Sequence, residues 1–229
     1  AHVPYGTKSA EMVTLYSQHI IDFFLKYETK AVVIACNTAS AVAFQHLKRN
    51  YDIPLFDVVS PSVEYSMKIT KTQKIGVVGT YSTIQSGAYK RMFKQLGDRC
   101  SVQEISCPLF VPIIEEGWAD SAIARDIAEI YLYDFTNSDI DTLILGCTHY
   151  PIMANTIQAL LSNQIQLVYS GETVGHKLAE YLMKKNCESS FDVLRSVQFF
   201  VTDYPQKFNE LGSRFLGRKL NNVTHISLL

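Results

Sequence analysis

Thr142-Leu143-Ile144-Leu145-Gly146-Cys147 and Ala31-Val32-Val33-Ile34-Ala35-Cys36 share one pattern: an apolar run of strand length, a small residue and a cysteine. Continuous apolar runs of this length are typical of strands that are buried on both faces of a parallel sheet. Ligands bind at the carboxyl ends of the strands in open α/β sheets. Both cysteines are therefore predicted to lie at an edge where a ligand binds.

Short β-branched runs alternate with longer amphipathic stretches outward from these two segments. The predicted strands are 31–35, 55–59, 74–78, 101–105, 142–145, 166–169 and 197–201. The predicted helices are 9–27, 38–49, 62–70, 84–96, 121–135, 152–162, 171–184 and 205–217. This alternation predicts an α/β fold with doubly wound parallel sheets, helices on both faces and right-handed crossovers.

The two cysteine segments resemble quasi-equivalent halves of one architecture. The best candidate for a break between the halves is 59–62, and a second crossing near 170–172 would return the chain to the first half. We therefore expect one α/β domain formed by 1–59 and 171–229 and a second formed by 60–170.

Composition narrows the classes of function. The 229 residues are 47% hydrophobic and carry a formal net charge of −1, so no basic surplus indicates nucleic-acid binding. No apolar stretch approaches the length of a membrane span, and no secretory signal opens the chain. Five cysteines without a dense framework favour free thiols in a reducing compartment, and we expect a cytoplasmic protein.

Cys36 precedes Asn37, Thr38 and a predicted helix. A helix N-terminus favours a thiolate through its dipole and free N–H groups, and the two polar neighbours could hold an anion or cap the helix. An inert buried cysteine with ordinary capping neighbours is the alternative.

Cys147 is followed by Thr148 and His149. A nearby histidine can pair with a thiolate or donate a proton, although it could also simply cap or pack at the sheet edge. Zinc is a further alternative, but these ligands lack the close paired spacing of structural zinc sites.

Two other segments contain candidate polar groups. The turn 79–83 (Gly-Thr-Tyr-Ser-Thr) could hold a carboxylate or a phosphate, or Thr83 could simply cap the next helix. Glu115 and Glu116 follow an apolar run, and a solvated helical pair is the simplest interpretation. Cys100, Cys107 and Cys187 show no comparable strand-end setting and are interpreted as bystanders.

Taken together and in this order, these segments resemble the glutamate racemase family. The resemblance is carried by 4–9 (Pro-Tyr-Gly-Thr-Lys-Ser), 35–40, 107–112 with Glu115, 146–151 and 200–203 (Phe-Val-Thr-Asp). His149 favours glutamate racemases over the related aspartate racemases, which usually have a glutamate at that position.

The resemblance implies two domains related by a pseudo-twofold axis, with the active site in the cleft between them. It implies that Cys36 acts on D-glutamate and Cys147 on L-glutamate, while His149 supports Cys147 and Glu115 orients His149. No cofactor and no metal are implied. The implied substrate-binding residues are Pro4, Tyr5, Gly6, Asn37, Thr38, Thr80, Thr83 and Thr148.

The family pattern begins with a strand and an Asp-Ser-Gly-x-Gly-Gly loop, which should precede Ala1 and do not occur in this sequence. We expect their absence to expose a sheet edge or leave an apolar gap. We also expect a homodimer that supplies D-glutamate for peptidoglycan synthesis. A non-catalytic glutamate-binding fragment and a racemase for aspartate or a hydantoin remain the alternatives.

Overall fold

Helices and parallel strand pairs alternate along the chain in a computed structural model that describes residues 3–97, 99–187 and 196–228. The strands are β1 (Val32–Ile34), β2 (Leu55–Asp57), β3 (Lys74–Gly79), β4 (Ser101–Ser106), β5 (Thr142–Gly146), β6 (Gln166–Tyr169), β7 (Phe199–Val201) and β8 (Val223–His225). The α-helices are α1 (Ala10–Phe24), α2 (Asn37–Val42), α3 (Phe44–Asn50), α4 (Val59–Ile69), α5 (Tyr81–Gln85), α6 (Ala88–Gln95), α7 (Phe110–Glu115), α8 (Ala122–Thr136), α9 (Ala154–Leu160), α10 (Ser170–Lys184) and α11 (Pro205–Leu216). Short 3-10 helices span Tyr5–Thr7 and Tyr150–Met153.

The larger sheet has the order β4-β3-β5-β6, and its strand pairs are all parallel. Every residue of β5 is buried. Leu143 and Leu145 pack into one core cluster, while Ile144 packs into another on the opposite face of the sheet. The apolar run before Cys147 is thus a central strand covered on both faces, as the sequence predicted.

β1 and β2 form a separate parallel pair with Ile34 opposite Asp57. Among the described residues β1 pairs with β2 alone, and Val33 between the buried Val32 and Ile34 is half-buried. The expectation of a strand buried on both faces therefore does not hold for β1 as it does for β5. β7 and β8 form a third parallel pair.

Asp57 ends β2 earlier than predicted. Its Oδ2 accepts hydrogen bonds from the backbone N–H groups of Val59 and Ser60 at 3.0 and 2.8 Å, so it caps the start of α4. The predicted strand 55–59 therefore stops at Asp57, and the proposed domain break at 59–62 falls in the first turn of a helix.

Two predicted helices are each divided in the structure. The helix expected at 84–96 breaks at Gly87, whose φ of 63° lies in the left-handed region that glycine adopts without strain. The helix expected at 38–49 divides at Ala43, whose φ of −109° departs from helical geometry. The divided segments keep their apolar faces in the core, including Phe44 and Leu47 of α3.

An apolar cavity of about 460 Å³ lies between α1, β7 and α11. Its lining includes Phe23, Phe24, Phe200, Phe208 and Leu211. Phe200 contacts Phe23 edge to face, with ring centroids 5.0 Å apart. Across the described ranges, no helix combines the length and apolarity that crossing a membrane requires.

Candidate active site

Cys36 lies immediately after β1 and forms the N-cap position of α2, where its carbonyl oxygen accepts from Ser40 N–H at 2.9 Å. The half-buried thiol has a raised pKa, mainly because burial disfavours the thiolate. The backbone N–H groups of Ala39 and Thr38 and the Thr38 hydroxyl act in the opposite direction. The N–H groups at the start of α2 thus lower the pKa of Cys36, as predicted, but the effect of burial is larger and the net shift is upward.

Cys147 lies at the end of β5 and is 6% exposed. Burial raises the pKa of its thiol to about 12, against the lowering effect of the His149 and Tyr150 backbone N–H groups and the Thr148 hydroxyl. The charge of a Cys36 thiolate also raises the pKa of Cys147. This effect of one thiol on the pKa of the other couples the two cysteines electrostatically.

His149 connects Cys147 to Glu115. Its Nδ1 lies 3.9 Å from Cys147 Sγ, and its Nε2 lies 3.3 Å from Glu115 Oε1. Burial lowers the pKa of His149, with the Glu115 carboxylate opposing that shift. Glu115 is half-buried and Glu116 is exposed, so the interpretation as a solvated pair fits only Glu116.

The Glu115–His149 contact decides which ring nitrogen is free. A carboxylate beside Nε2 favours the neutral tautomer that carries its proton there, and this tautomer leaves Nδ1 as an acceptor. Nδ1 faces the Cys147 thiol and can accept its proton. The three side chains form a relay that can both take a proton from Cys147 and return it.

Three threonine hydroxyls meet beside Cys36. Thr38 Oγ1 lies 2.9 Å from Thr80 Oγ1 and 3.1 Å from Thr83 Oγ1, and the latter two are 2.9 Å apart. Thr80 also accepts from Thr83 N–H and caps α5, so the capping residue of this turn is Thr80 and not Thr83. The triangle joins the segment after β1 to the segment after β3.

The 3-10 helix Tyr5–Thr7 packs against this triangle. A Cβ atom at Gly6 would lie 2.8 Å from Thr80 Cβ, so only glycine allows this approach. Ser82 Oγ donates to the Gly6 carbonyl oxygen at 2.7 Å. Tyr5 and Cys36 pack against the same core cluster, and burial, together with the charge of Cys36, raises the pKa of Tyr5 to about 12.

Asn37 is 1% exposed, and both ends of its amide are bonded. Oδ1 accepts from the Tyr89 hydroxyl at 2.7 Å, and Nδ2 donates to Ser170 Oγ at 3.1 Å. The sequence did not single out Tyr89, and it marked Ser170 only as part of the crossing at 170–172. Tyr89 lies inside a predicted helix, and no local pattern distinguishes it from an ordinary core aromatic residue.

The remaining candidates occupy the periphery. Pro4 is exposed directly before the 3-10 helix, and Thr148 is exposed directly after Cys147. Cys107 follows β4 directly, so the statement that it lacks a strand-end setting is wrong, because β4 continues to Ser106. Its side chain is fully buried in a core cluster, in keeping with a structural role.

α11 contributes two contacts that the sequence did not reveal. Phe215 meets the His149 ring edge to face, with centroids 5.4 Å apart, and Arg214 Nη1 donates to the Glu115 carbonyl oxygen at 3.3 Å. These contacts hold the Glu115–His149 pair from the C-terminal part of the chain. Contacts over such sequence separations leave no local signal.

Comparisons with known proteins show which sequences this chain is similar to. A sequence model described as Asp/Glu/Hydantoin racemase matches residues 1–174. A glutamate racemase of Geobacter metallireducens is 40% identical over 228 residues, which cover 100% of this chain and 84% of the relative. A glutamate racemase of Bacillus cereus is 34% identical over 228 residues, with 100% and 85% coverage.

Solved structures extend the likeness to the fold. A glutamate racemase isoform from Bacillus anthracis matches with a TM-score of 0.94 and 33% identity, covering 99% of this chain and 85% of that one. The glutamate racemase from Francisella tularensis, solved in complex with D-glutamate, matches with a TM-score of 0.91 and 32% identity. The match covers 99% of this chain and 84% of that one. The predicted two-domain α/β fold with parallel sheets is confirmed.

Proposed function

Because the chain belongs to the Asp/Glu/Hydantoin racemase family, we propose that it interconverts L- and D-glutamate, with Cys36 and Cys147 as its two acid/base groups. The observation that carries the proposal is the pair of electrostatically coupled thiols at strand ends, one of them joined to His149 and Glu115. Inversion of a carbon centre requires one group that removes a proton and another that delivers one from the opposite side.

The thiols suit a weakly acidic substrate. Because burial raises the pKa of both thiols, they are protonated at neutral pH in the ligand-free protein, and either thiolate is a stronger base once it forms. His149 Nδ1 offers a place for the Cys147 proton. The backbone N–H groups after each cysteine stabilise the charge that develops on sulfur.

The polar groups around Cys36 are suited to an amino acid with two carboxylates. Asn37, the Thr38–Thr80–Thr83 hydroxyls and the segment at Tyr5 and Gly6 would orient the substrate. We assign Pro4 and Thr148 to the rim of this site. Removal of the α-proton leaves a carbanion at the α-carbon of the substrate. We propose that these groups stabilise this carbanion without a cofactor.

We further propose that the site lies between two domains, formed by 1–59 with 171–229 and by 60–170. The hydroxyl triangle and the Arg214–Glu115 contact join these two parts. The finer biological assignments are also proposals: a cytoplasmic homodimer that supplies D-glutamate to peptidoglycan synthesis.

Circular dichroism of the substrate tests the activity, because racemisation abolishes the optical signal of a pure enantiomer. The protein is incubated separately with L-glutamate, D-glutamate and L-aspartate, with and without a chelator. We expect the glutamate signals to decay, the aspartate signal to decay far more slowly, and the chelator to have no effect. Cys100→Ala serves as a control, because this half-buried thiol follows no parallel strand.

Faster loss of the aspartate signal would instead favour the aspartate alternative. Binding of glutamate without decay would favour the binding-fragment alternative. The same assay on a chain extended at its N-terminus with the strand and loop that the resemblance implies then separates two cases: recovered decay supports racemisation by the longer chain, and continued silence contradicts the proposed reaction.

A further inference from the structure

Tyr89 lies between the segments that carry the two thiols. Its side chain is fully buried, and its hydroxyl donates to Oδ1 of Asn37, the residue that follows Cys36. Its ring packs beside Gly146, the residue that precedes Cys147, where an added Cβ would lie 3.3 Å from Cε2 and 3.4 Å from the hydroxyl oxygen. One side chain thus contacts the immediate neighbours of both cysteines.

The hydroxyl bond fixes the orientation of the Asn37 amide. An asparagine amide offers one acceptor oxygen and two N–H donors. Tyr89 occupies the oxygen at 2.7 Å, and Ser170 Oγ accepts one N–H at 3.1 Å. With both ends held, the second N–H has a fixed direction, and no hydrogen bond to another described residue uses it.

We propose that Tyr89 is a positioning residue for this site, which holds the Asn37 amide with its free N–H toward the substrate. The inference rests on the proposed function, because it assigns Asn37 to substrate binding. Burial and nearby negative charges raise the pKa of Tyr89 well above its usual range, so the phenol remains a hydrogen-bond donor at every working pH.

Tyr89→Phe tests the inference with minimal change in shape. The ring stays against Gly146, but Asn37 Oδ1 loses its donor and the amide can rotate. An unsatisfied buried group costs enough to weaken binding roughly tenfold. We expect the KM for glutamate to rise about tenfold with a smaller change in kcat, since the effect falls on binding before the chemical step.

Tyr51→Phe is the control. Tyr51 is half-buried, and its hydroxyl donates to Asp22 Oδ1 at 2.8 Å and not to Asn37. It should lose some thermal stability and keep the KM of the wild type. A KM that rises equally in both variants would show a general packing effect and overturn the inference, as would an unchanged KM in Tyr89→Phe.

Ser170→Ala covers the case in which Tyr89→Phe does not fold. This variant releases the other end of the same amide, so the KM should again rise, and an unchanged KM overturns the inference. Failure of the proposed function is distinguishable, because a wild-type protein that racemises no glutamate contradicts that function. Wild-type turnover with an unaffected Tyr89→Phe contradicts only the positioning role.

Discussion

Replacing Thr83 with valine should lower the free energy of unfolding by about 2 kcal/mol. Valine keeps the shape of the side chain but removes a fully buried hydroxyl that bonds to Thr80 at 2.9 Å and to Thr38 at 3.1 Å. Each neutral hydrogen bond contributes about 0.5–1.5 kcal/mol, so two give about 1–3 kcal/mol. Thr38 and Thr80 keep their mutual bond at 2.9 Å, which limits the loss.

Urea unfolding followed by far-UV circular dichroism measures this loss. For a chain of this length, about 2 kcal/mol corresponds to a fall in Tm of about 4–8 °C. Thr136→Val is the control, because Thr136 is exposed and its hydroxyl bonds only to near neighbours, donating to the Tyr133 carbonyl oxygen at 2.7 Å and accepting from Asn137 Nδ2 at 3.3 Å. It should change stability by less than about 0.5 kcal/mol. A Thr83→Val protein as stable as this control would refute the reasoning.

Three further predictions concern the site. Gly6→Ala forces a Cβ to within 2.8 Å of Thr80 Cβ, so steady-state kinetics should show a KM about fivefold higher or more, and an unchanged KM would contradict the packing. Glu115→Gln removes the charge that raises the pKa of His149, so that pKa should fall further in an NMR titration, and kcat/KM should fall by about tenfold or more. Because the pKa of Cys147 is raised from 9.0 to about 12, its contribution to stability is complete below about pH 9 and is lost as the pH rises toward 12. Urea unfolding across this range should therefore show a smaller loss for Cys147→Ala than for the wild type; equal losses would contradict the shift.

The best-predicted part of the fold is the strand before Cys147. Its apolar run is long enough to be covered on both faces, and Leu143 and Ile144 do lie in clusters on opposite faces. The run before Cys36 has the same pattern, yet Val33 is half-buried. The sequence pattern indicates how apolar a strand is. The elements that pack against the strand determine how much of it is buried.

Element boundaries depended on side chains whose partners are not visible in a local pattern. Asp57 ends β2 by capping α4, and Gly87 divides a helix through its positive φ. α7 was not predicted as a helix, because its apolar run is short and contains Pro112. The three-residue strand β8 was too short to recognise.

The site residues that a local sequence pattern marks could be predicted. The residues that reach the site from distant segments of the chain could not. Strand-end positions indicated Cys36 and Cys147, and the family resemblance supplied the link between Glu115 and His149. Tyr89 and Phe215 reach the site from helices distant in the sequence. Both belong to amphipathic helices in which an aromatic residue is ordinary, so only the tertiary structure identifies their contacts.

Exchange of the α-proton of L-glutamate in D₂O reports directly on whether the two thiols act as a pair. Proton NMR would follow the α-proton signal with the wild type, Cys36→Ala and Cys147→Ala. We predict that the signal disappears with the wild type and persists with Cys147→Ala, which lacks the base assigned to L-glutamate, because losing an acid/base group slows the reaction by about 10²–10⁴-fold. Cys36→Ala keeps that base but lacks the acid on the opposite face, so it should form D-glutamate far more slowly than the wild type. Exchange at the wild-type rate in Cys147→Ala, or formation of D-glutamate at the wild-type rate in Cys36→Ala, would contradict the two-thiol mechanism.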